Sequence, residues 1–354
     1  MKHKKTIKEY KNFIKNKNMI IGIMFLFVLL LAFAALSTGT SDMNGFDVLK
    51  TFFGGGTKKS QIILFGMRLP RILTAIFVGS ALAIAGAVMQ SALRNPLASA
   101  STLGVLQGSA FGAAVGIIVF GAGIQSSASI DSAVVINNPY IVTFCAFIGG
   151  FIPTFIILTV SRIKSFGPEA LILAGVALST LFNAGLTLLQ YFASDVQLAA
   201  VVFWTFGDIG RTSKNEVIMI AVFTIAALVY FMFNRWNYNA INSGINTAKS
   251  LGVDVDKTIL ISMAVCSLIS AFGVAFVGII SFVGVIAPHV MKFFIGNDYR
   301  YLLPASALCG ALILLAADIF GRLIVAPVIL PIGAVTSLLG APVFLYLVFK
   351  GVKK

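Results

Sequence analysis

"MRLPRILTAIFVGSALAIAGAVMQSALRNPLASASTLGV" runs from Met67 to Val105. Arg68 and Arg71 open it, a long run of small and apolar residues follows, and Arg94-Asn95-Pro96-Leu97 interrupts before the chain turns apolar again. About 20 apolar residues are what a helix needs to cross the hydrocarbon core of a bilayer. Proline stops such a helix, and an asparagine beside it can hydrogen-bond the freed backbone. The stretch therefore reads as a membrane-spanning helix with charge at one mouth and a hairpin turn at the other.

Composition extends that reading to the whole chain. Of 354 residues, 58% are hydrophobic and only 11% are charged. A soluble domain carries about a quarter of its residues as charged ones, so this chain has less than half the usual means of facing water. A transmembrane barrel would show segments of about ten residues in strict alternation, and the sequence has none. The fold class is an all-α polytopic membrane protein.

On that ruler ten spans fall near residues 19–37, 70–90, 103–122, 139–161, 168–192, 215–234, 258–279, 282–296, 302–321 and 334–350. An even count puts both termini on one side. With the N-terminus in the cytoplasm, inner segments hold 18 of the 26 lysines and arginines. They include seven lysines before Met19 together with Arg94, Arg162, Lys164, Arg235, Lys249, Lys257, Lys292, Arg300, Lys350, Lys353 and Lys354. The outer segments hold Lys50, Lys58, Lys59, Arg68, Arg71, Arg211, Lys214 and Arg322. The positive-inside rule favours this orientation over its inverse. It also accounts for the net charge of +14 without a nucleic-acid surface, because the basic residues sit at span ends, where they meet anionic headgroups. Residues 1–18 form a basic cytoplasmic tail and 19–354 a single transmembrane domain. The apolar run after the tail is too long for a signal-peptide core, so it reads as a retained first span.

Spacing within the spans speaks of packing. Gly79, Ala83 and Ala87 are four apart, as are Gly104, Gly108 and Gly112. Small residues at that interval let helix backbones approach closely in lipid.

Chemistry is scarce. "FFGGGTKKS" (Phe52–Ser60) lacks the Gly-Lys-Ser/Thr ending of a phosphate loop. Cys145, Cys266 and Cys309 lie in apolar runs with no metal-ligand spacing. His289 stands alone, without the partners of a zinc site or a triad. No catalytic, metal or cofactor site is expected. No span carries a mid-membrane carboxylate of the kind proton-coupled carriers use. Asp318, near the outer end of the ninth span, precedes Arg322 by four residues, so a local helical ion pair is the plain explanation of both. A transporter with neither an ATP site nor a charge relay takes its energy from a partner protein. The inner stretch "NRWNYNAINSGINTAKSLGVDVDKT" (Asn234–Thr258) carries Ile241, Ile245, Ala248 and Leu251 at helical spacing, then Gly252 as a stop. It reads either as a partner-docking helix or as an ordinary interfacial one.

Several long stretches carry a family resemblance: Arg68–Val105, "LILAGVALSTLF" (171–182), "AKSLGV" (248–253), "GIISFVGVIAPHVMKFFIGNDYRYLLPASALCGALILLAADIFGR" (278–322) and "ILPIGAVTSLLGAPVFLYL" (329–347). From Arg68 onward the chain resembles the permease subunits of bacterial ABC importers for iron–siderophore complexes, haem and cobalamin. The resemblance implies ten spans per subunit in the bacterial cell membrane and a dimeric pore formed with a second permease subunit, identical or paralogous. Two cytoplasmic ATP-binding subunits and an external substrate-binding protein would complete the assembly. It implies that Arg68, Arg71 and Arg322 receive acidic residues of the binding protein. Anchoring at the bilayer edge is the simpler alternative for all three. Asn95 and Leu97 become inner-gate candidates, beside the plain reading of a hairpin turn. Lys249, Ser250, Leu251 and Gly252 become candidates for ATPase docking. The chain departs from many relatives in having no acidic residue before Asp254 in that loop. It also has Lys292 where arginine is common, which keeps the charge and loses bidentate geometry. Spans two to five and seven to ten would form inverted halves. The expected cargo is a ferric siderophore or similar iron chelate, with haem or cobalamin as the alternative and an ion-coupled carrier as the rival class.

Overall fold

A computed structural model describes residues 2–38, 44–125, 134–136, 138–163, 168–326 and 328–352. Lys164, Lys353 and Lys354, used in the charge count, lie outside the described residues. The principal helices are α1 (Lys2–Ser37), α2 (Leu69–Ala92), α3 (Val105–Ala114), α4 (Pro139–Ile163), α5 (Pro168–Tyr191), α6 (Asp195–Phe206) and α7 (Lys214–Phe233). They continue with α8 (Arg235–Asn242), α9 (Ile245–Ser250), α10 (Val255–Val277), α11 (Val283–Ile295), α12 (Tyr299–Leu323) and α13 (Ile332–Val352). Besides these, a small antiparallel ladder pairs Gly123–Gln125 with Val134–Ile136.

Each of the ten expected spans coincides with a helix. Among the described residues seven helical stretches are long and apolar enough to cross a membrane, and four shorter apolar helices accompany them. The chain is a multi-pass helical membrane protein. Three features of the helices differ from the sequence reading. The basic N-terminal segment is continuous with the first span as one helix, α1. A π-helical turn, Ile62–Arg68, leads directly into α2, so the second span begins earlier than the apolar run alone indicates. Finally, the segment between the fifth and sixth spans contains α6, an apolar helix of 12 residues. At 1.5 Å per residue it is about 18 Å long, little more than half the hydrocarbon thickness. Ser194 and Gln197 close its N-terminus with a capping box, and Trp204 buries its far end.

The bundle is organised around α2. In the stretch that contains it, 78% of the span window is buried, against 11% for α5 and 17% for α1. Its principal neighbour is α12. A Cβ placed on Gly79 would overlap the carbonyl of Gly310, and one placed on Gly310 would overlap that of Gly79. The two backbones therefore touch, which only glycine permits on both sides. Ser80 Oγ donates to the Ala307 carbonyl at 3.0 Å across the same contact. Further along α2, Gly86 abuts the backbone of Gly284 in α11. Elsewhere Thr154 Oγ1 donates to Ser267 Oγ at 2.8 Å, joining α4 to α10. Lipid offers helices little hydrophobic reason to associate, so close backbone approach and such hydroxyl bonds carry the packing.

Candidate functional site

The three arginines singled out in the sequence meet at one end of the bundle. Arg68 is buried, and its guanidinium donates to the carbonyl of Leu36. Arg322 NH1 donates to the Thr38 carbonyl at 2.9 Å and to that of Ala35 at 3.4 Å. Two cations thus sit on the last carbonyls of α1, where backbone acceptors are unpaired and the helix dipole is negative. Arg71 Nε donates to Asp318 Oδ1 at 2.8 Å, and its NH1 lies 3.7 Å from Asp208 Oδ1. Arg322 Nε lies 3.0 Å from Asp318 Oδ2. That second pair is held chiefly by charge attraction.

Asp318 is the centre of this arrangement. Its side chain has 0% exposure, while Arg71 and Arg322 retain 16% and 11%. The local i,i+4 pair with Arg322 is present as the sequence spacing suggests. Arg71, singled out for docking, has no local signal for this pairing and reaches the same carboxylate from another helix. The arginine cluster is thus tied to helix carbonyls and a buried carboxylate, with a small part of each side chain left at the surface.

The opposite end carries the turn and the loop. Asn95 Oδ1 accepts from the Leu97 backbone N–H at 2.8 Å, closing the turn on itself. Arg94 occupies the left-handed region at φ +48°, and Leu97 is exposed. The loop after α7 is two short helices, α8 and α9, in place of a single one, because Gly244 at φ +127° separates them. Ile241 and Ala248 are fully buried, as the helical spacing predicts. Leu251 departs from that pattern and is 67% exposed. The reason is the way α9 ends. Gly252 adopts φ +79°, its N–H bonds to the Lys249 carbonyl at 3.0 Å, and the Val253 N–H bonds to the Ala248 carbonyl at 3.0 Å. This paired closure turns the chain sharply and folds Val253 back on Ala248. Lys249, Ser250, Leu251 and Gly252 are left as an exposed tip on a rigid base.

Beneath that tip lies a polar junction that the sequence did not reveal. Asn239 of α8 accepts from the Tyr299 N–H at 2.8 Å and donates to Asp298 Oδ1 at 3.1 Å. Arg300 closes a fork on Asp298, its Nε 2.9 Å and its NH2 2.6 Å from Oδ2. Burial opposes the charge on Asp298, but the hydrogen bonds from Arg300 and Asn239 outweigh it and hold the carboxyl below its ordinary value. Tyr238 and Tyr299 are buried below, with their rings 5.5 Å apart. An aspartate just before a helix is a capping signal that could have marked Asp298; nothing marked Asn239. Nearby, Lys292 Nζ donates to Gln90 Oε1 at 2.7 Å. Among the described residues no cluster of histidine, cysteine and carboxylates could hold a metal ion.

The crossing apolar helices, with an arginine–aspartate cluster at one end and an exposed loop tip at the other, describe a multi-pass membrane protein. The model of the FecCD transport family matches residues 26–350, and the chain belongs to that family. It is 49% identical over 347 residues to MJ0087 of Methanocaldococcus jannaschii, provisionally named an ABC transporter permease protein, covering 98% of each chain. It is 34% identical to the Fe(3+)-citrate import system permease protein YfmE of Bacillus subtilis, covering 94% of this chain and 96% of that one. Other relatives are named for hemin and for cobalamin transport. A solved chain described as an inward-facing, provisionally metal-chelate type ABC transporter superposes with TM-score 0.80 at 29% identity, covering 94% of this chain and 99% of that one. The protein is an ABC-type permease.

Proposed function

We propose that the chain is the membrane subunit of an ATP-driven importer that moves a ferric siderophore or similar iron chelate into the cytoplasm. The observation that carries this reading is the family match over nearly the whole chain, combined with relatives named for iron-chelate import at about a third identity. ATP hydrolysis belongs to two cytoplasmic partner subunits, which bind the exposed tip Lys249–Gly252. A substrate-binding protein docks on the other side through carboxylates that meet Arg68, Arg71 and Arg322. A second permease subunit completes the pathway, and the poorly covered face of α5 is available to it. Both termini lie in the cytoplasm, in keeping with the distribution of lysine and arginine. Asn95 and Leu97 then stand at the inner mouth, where a self-closed turn with an exposed leucine suits a gate. The hemin-named relative of Yersinia pestis, 32% identical over 94% of this chain, supports haem as the second reading.

The test is uptake of labelled ferric citrate, ferric hydroxamate, haem and cobalamin by cells lacking the permease, complemented with wild type or with Arg68→Glu/Arg71→Glu. Restoration of a ferric chelate by wild type, dependent on ATP and lost with the charge reversal, is the expected result. Restoration of haem or cobalamin alone transfers the assignment to that cargo. Uptake that survives the reversal refutes the docking role of the arginines.

A further inference from the structure

We propose that Asn239 and Asp298 form the joint through which movement of the ATPase-docking loop is delivered to α12, and that Asn239 is a positioning residue for coupled transport. The inference rests on the reading of the chain as an ATP-driven permease with its docking tip at Lys249–Gly252.

The argument begins with what a connecting loop ordinarily needs. Loops joining helices run over the surface, and most vary and move more than the elements they join. The α8–α9 segment is fastened instead. Asn239 uses both ends of its amide on one neighbour: Oδ1 takes the Tyr299 N–H, and Nδ2 holds the carboxylate of Asp298. Asp298 is at the same time the N-cap of α12, accepting from the Arg300 N–H at 3.1 Å. The side chain of one loop residue thus shares in the capping of a transmembrane helix. Arg300 adds a second strap, folding onto Asp298 while its guanidinium sits 4.9 Å from the ring centre of Trp236 in α8.

The joint is anchored from below as well. Tyr238 of α8 places its hydroxyl 2.8 Å from Ser262 Oγ of α10, and the Tyr299 hydroxyl donates to the Ala87 carbonyl of α2 at 2.8 Å. A push on the loop at this point meets α12 directly. Apart from the stacking of Arg300 on Trp236, the links between the helices are directional hydrogen bonds of 2.8–3.1 Å, which transmit displacement with little give. The receiving helix leads to the other end of the protein: α12 carries Asp318 and Arg322 in its last turns, and the Gly79–Gly310 contact binds it to α2, which carries Arg71. The loop, the joint and the arginine cluster therefore lie along one helix pair.

The test uses the whole importer, co-reconstituted in proteoliposomes with its ATPases and binding protein. Transport of labelled ferric citrate or ferric hydroxamate per ATP hydrolysed is compared between variants. Asn239→Asp sets two carboxylates against each other and is expected to lower the transport-to-hydrolysis ratio about tenfold, within the usual range of coupling between sites. Adding Asp298→Asn restores a donor opposite the new carboxylate, and the double variant is expected to recover most of the ratio. Recovery by reciprocal exchange is something a merely local packing role does not give. A ratio within about twofold of wild type in Asn239→Asp, or a double variant no better than the single one, overturns the proposal. Should Asn239→Asp not assemble, Asn239→Ala removes both bonds without adding charge, and an unchanged ratio in it overturns the proposal equally. A wild-type complex that carries haem or cobalamin in place of a ferric chelate counts against the proposed cargo alone, and the same ratios read with that cargo uphold or overturn the joint.

Discussion

Arg71 of α2 and Asp318 of α12 are 247 residues apart in the chain and meet at 2.8 Å, the carboxylate wholly buried. Removing one partner of a buried pair leaves the other charge uncompensated, at a typical cost of 3–5 kcal/mol. Asp318→Asn leaves two arginines facing each other and is expected to destabilise the purified permease by about 3 kcal/mol. Thermal unfolding in detergent, read against Arg71→Gln, measures it. Equal midpoints for Asp318→Asn and wild type reject a structural role for the carboxylate.

The contact between Gly79 and Gly310 makes a sharper demand. Alanine at either position sets a methyl group against a carbonyl of the facing helix, and backbone yields less readily than a side chain. Overpacking of this kind costs about 1–3 kcal/mol. Gly79→Ala is expected to lower the unfolding midpoint, whereas Gly22→Ala, with nothing within 4 Å of the added atom, keeps it or raises it slightly through better helix propensity. Similar midpoints for the two would mean that the helices part easily at this point.

The docking tip separates stability from assembly. Leu251 is largely exposed, so Leu251→Asp changes stability by no more than about 0.5 kcal/mol. Co-purification of the ATPase with the permease is expected to fail in the same variant. If the complex is recovered intact, the tip is not the docking surface.

Acid acts at the junction. The Asp298 carboxyl is held below its ordinary value in the folded protein, so the folded state binds this proton less readily than the unfolded one. Its contribution to stability is complete above the unfolded value of about 3.9 and is lost as pH falls through the lower folded value. Unfolding midpoints between pH 3 and pH 6 are expected to fall more steeply for wild type than for Asp298→Asn. Parallel curves would remove Asp298 from the account.

How much of this the sequence discloses depends on distance along the chain. Spans announce themselves because twenty apolar residues in a row have few other uses, and the Asp318–Arg322 pair is legible because four residues bring side chains together on any helix. Arg71 has no such local signature for its partner, since the crossing of α2 and α12 decides it. The half-length α6 escapes because a helix of twelve residues, Asp195–Phe206, is too short to satisfy a spanning criterion. Leu251 is misread for a different reason: it continues the helical spacing, but the left-handed Gly252 ends the helix and turns that side chain outward. Asn239 is invisible in sequence because an asparagine in a polar loop is unremarkable until its two partners are seen.

The arginine caps on α1 bear on how the protein is made. Helix α1 packs chiefly on α12, and its terminal carbonyls are held by Arg68 and by Arg322. Arg322 lies 284 residues beyond the Thr38 whose carbonyl it holds, so it is synthesised long after α1. Until then α1 has only the part of its hold that Arg68 supplies. A chain truncated before Tyr299 leaves α1 without its main helical partner and with half of its capping arginines.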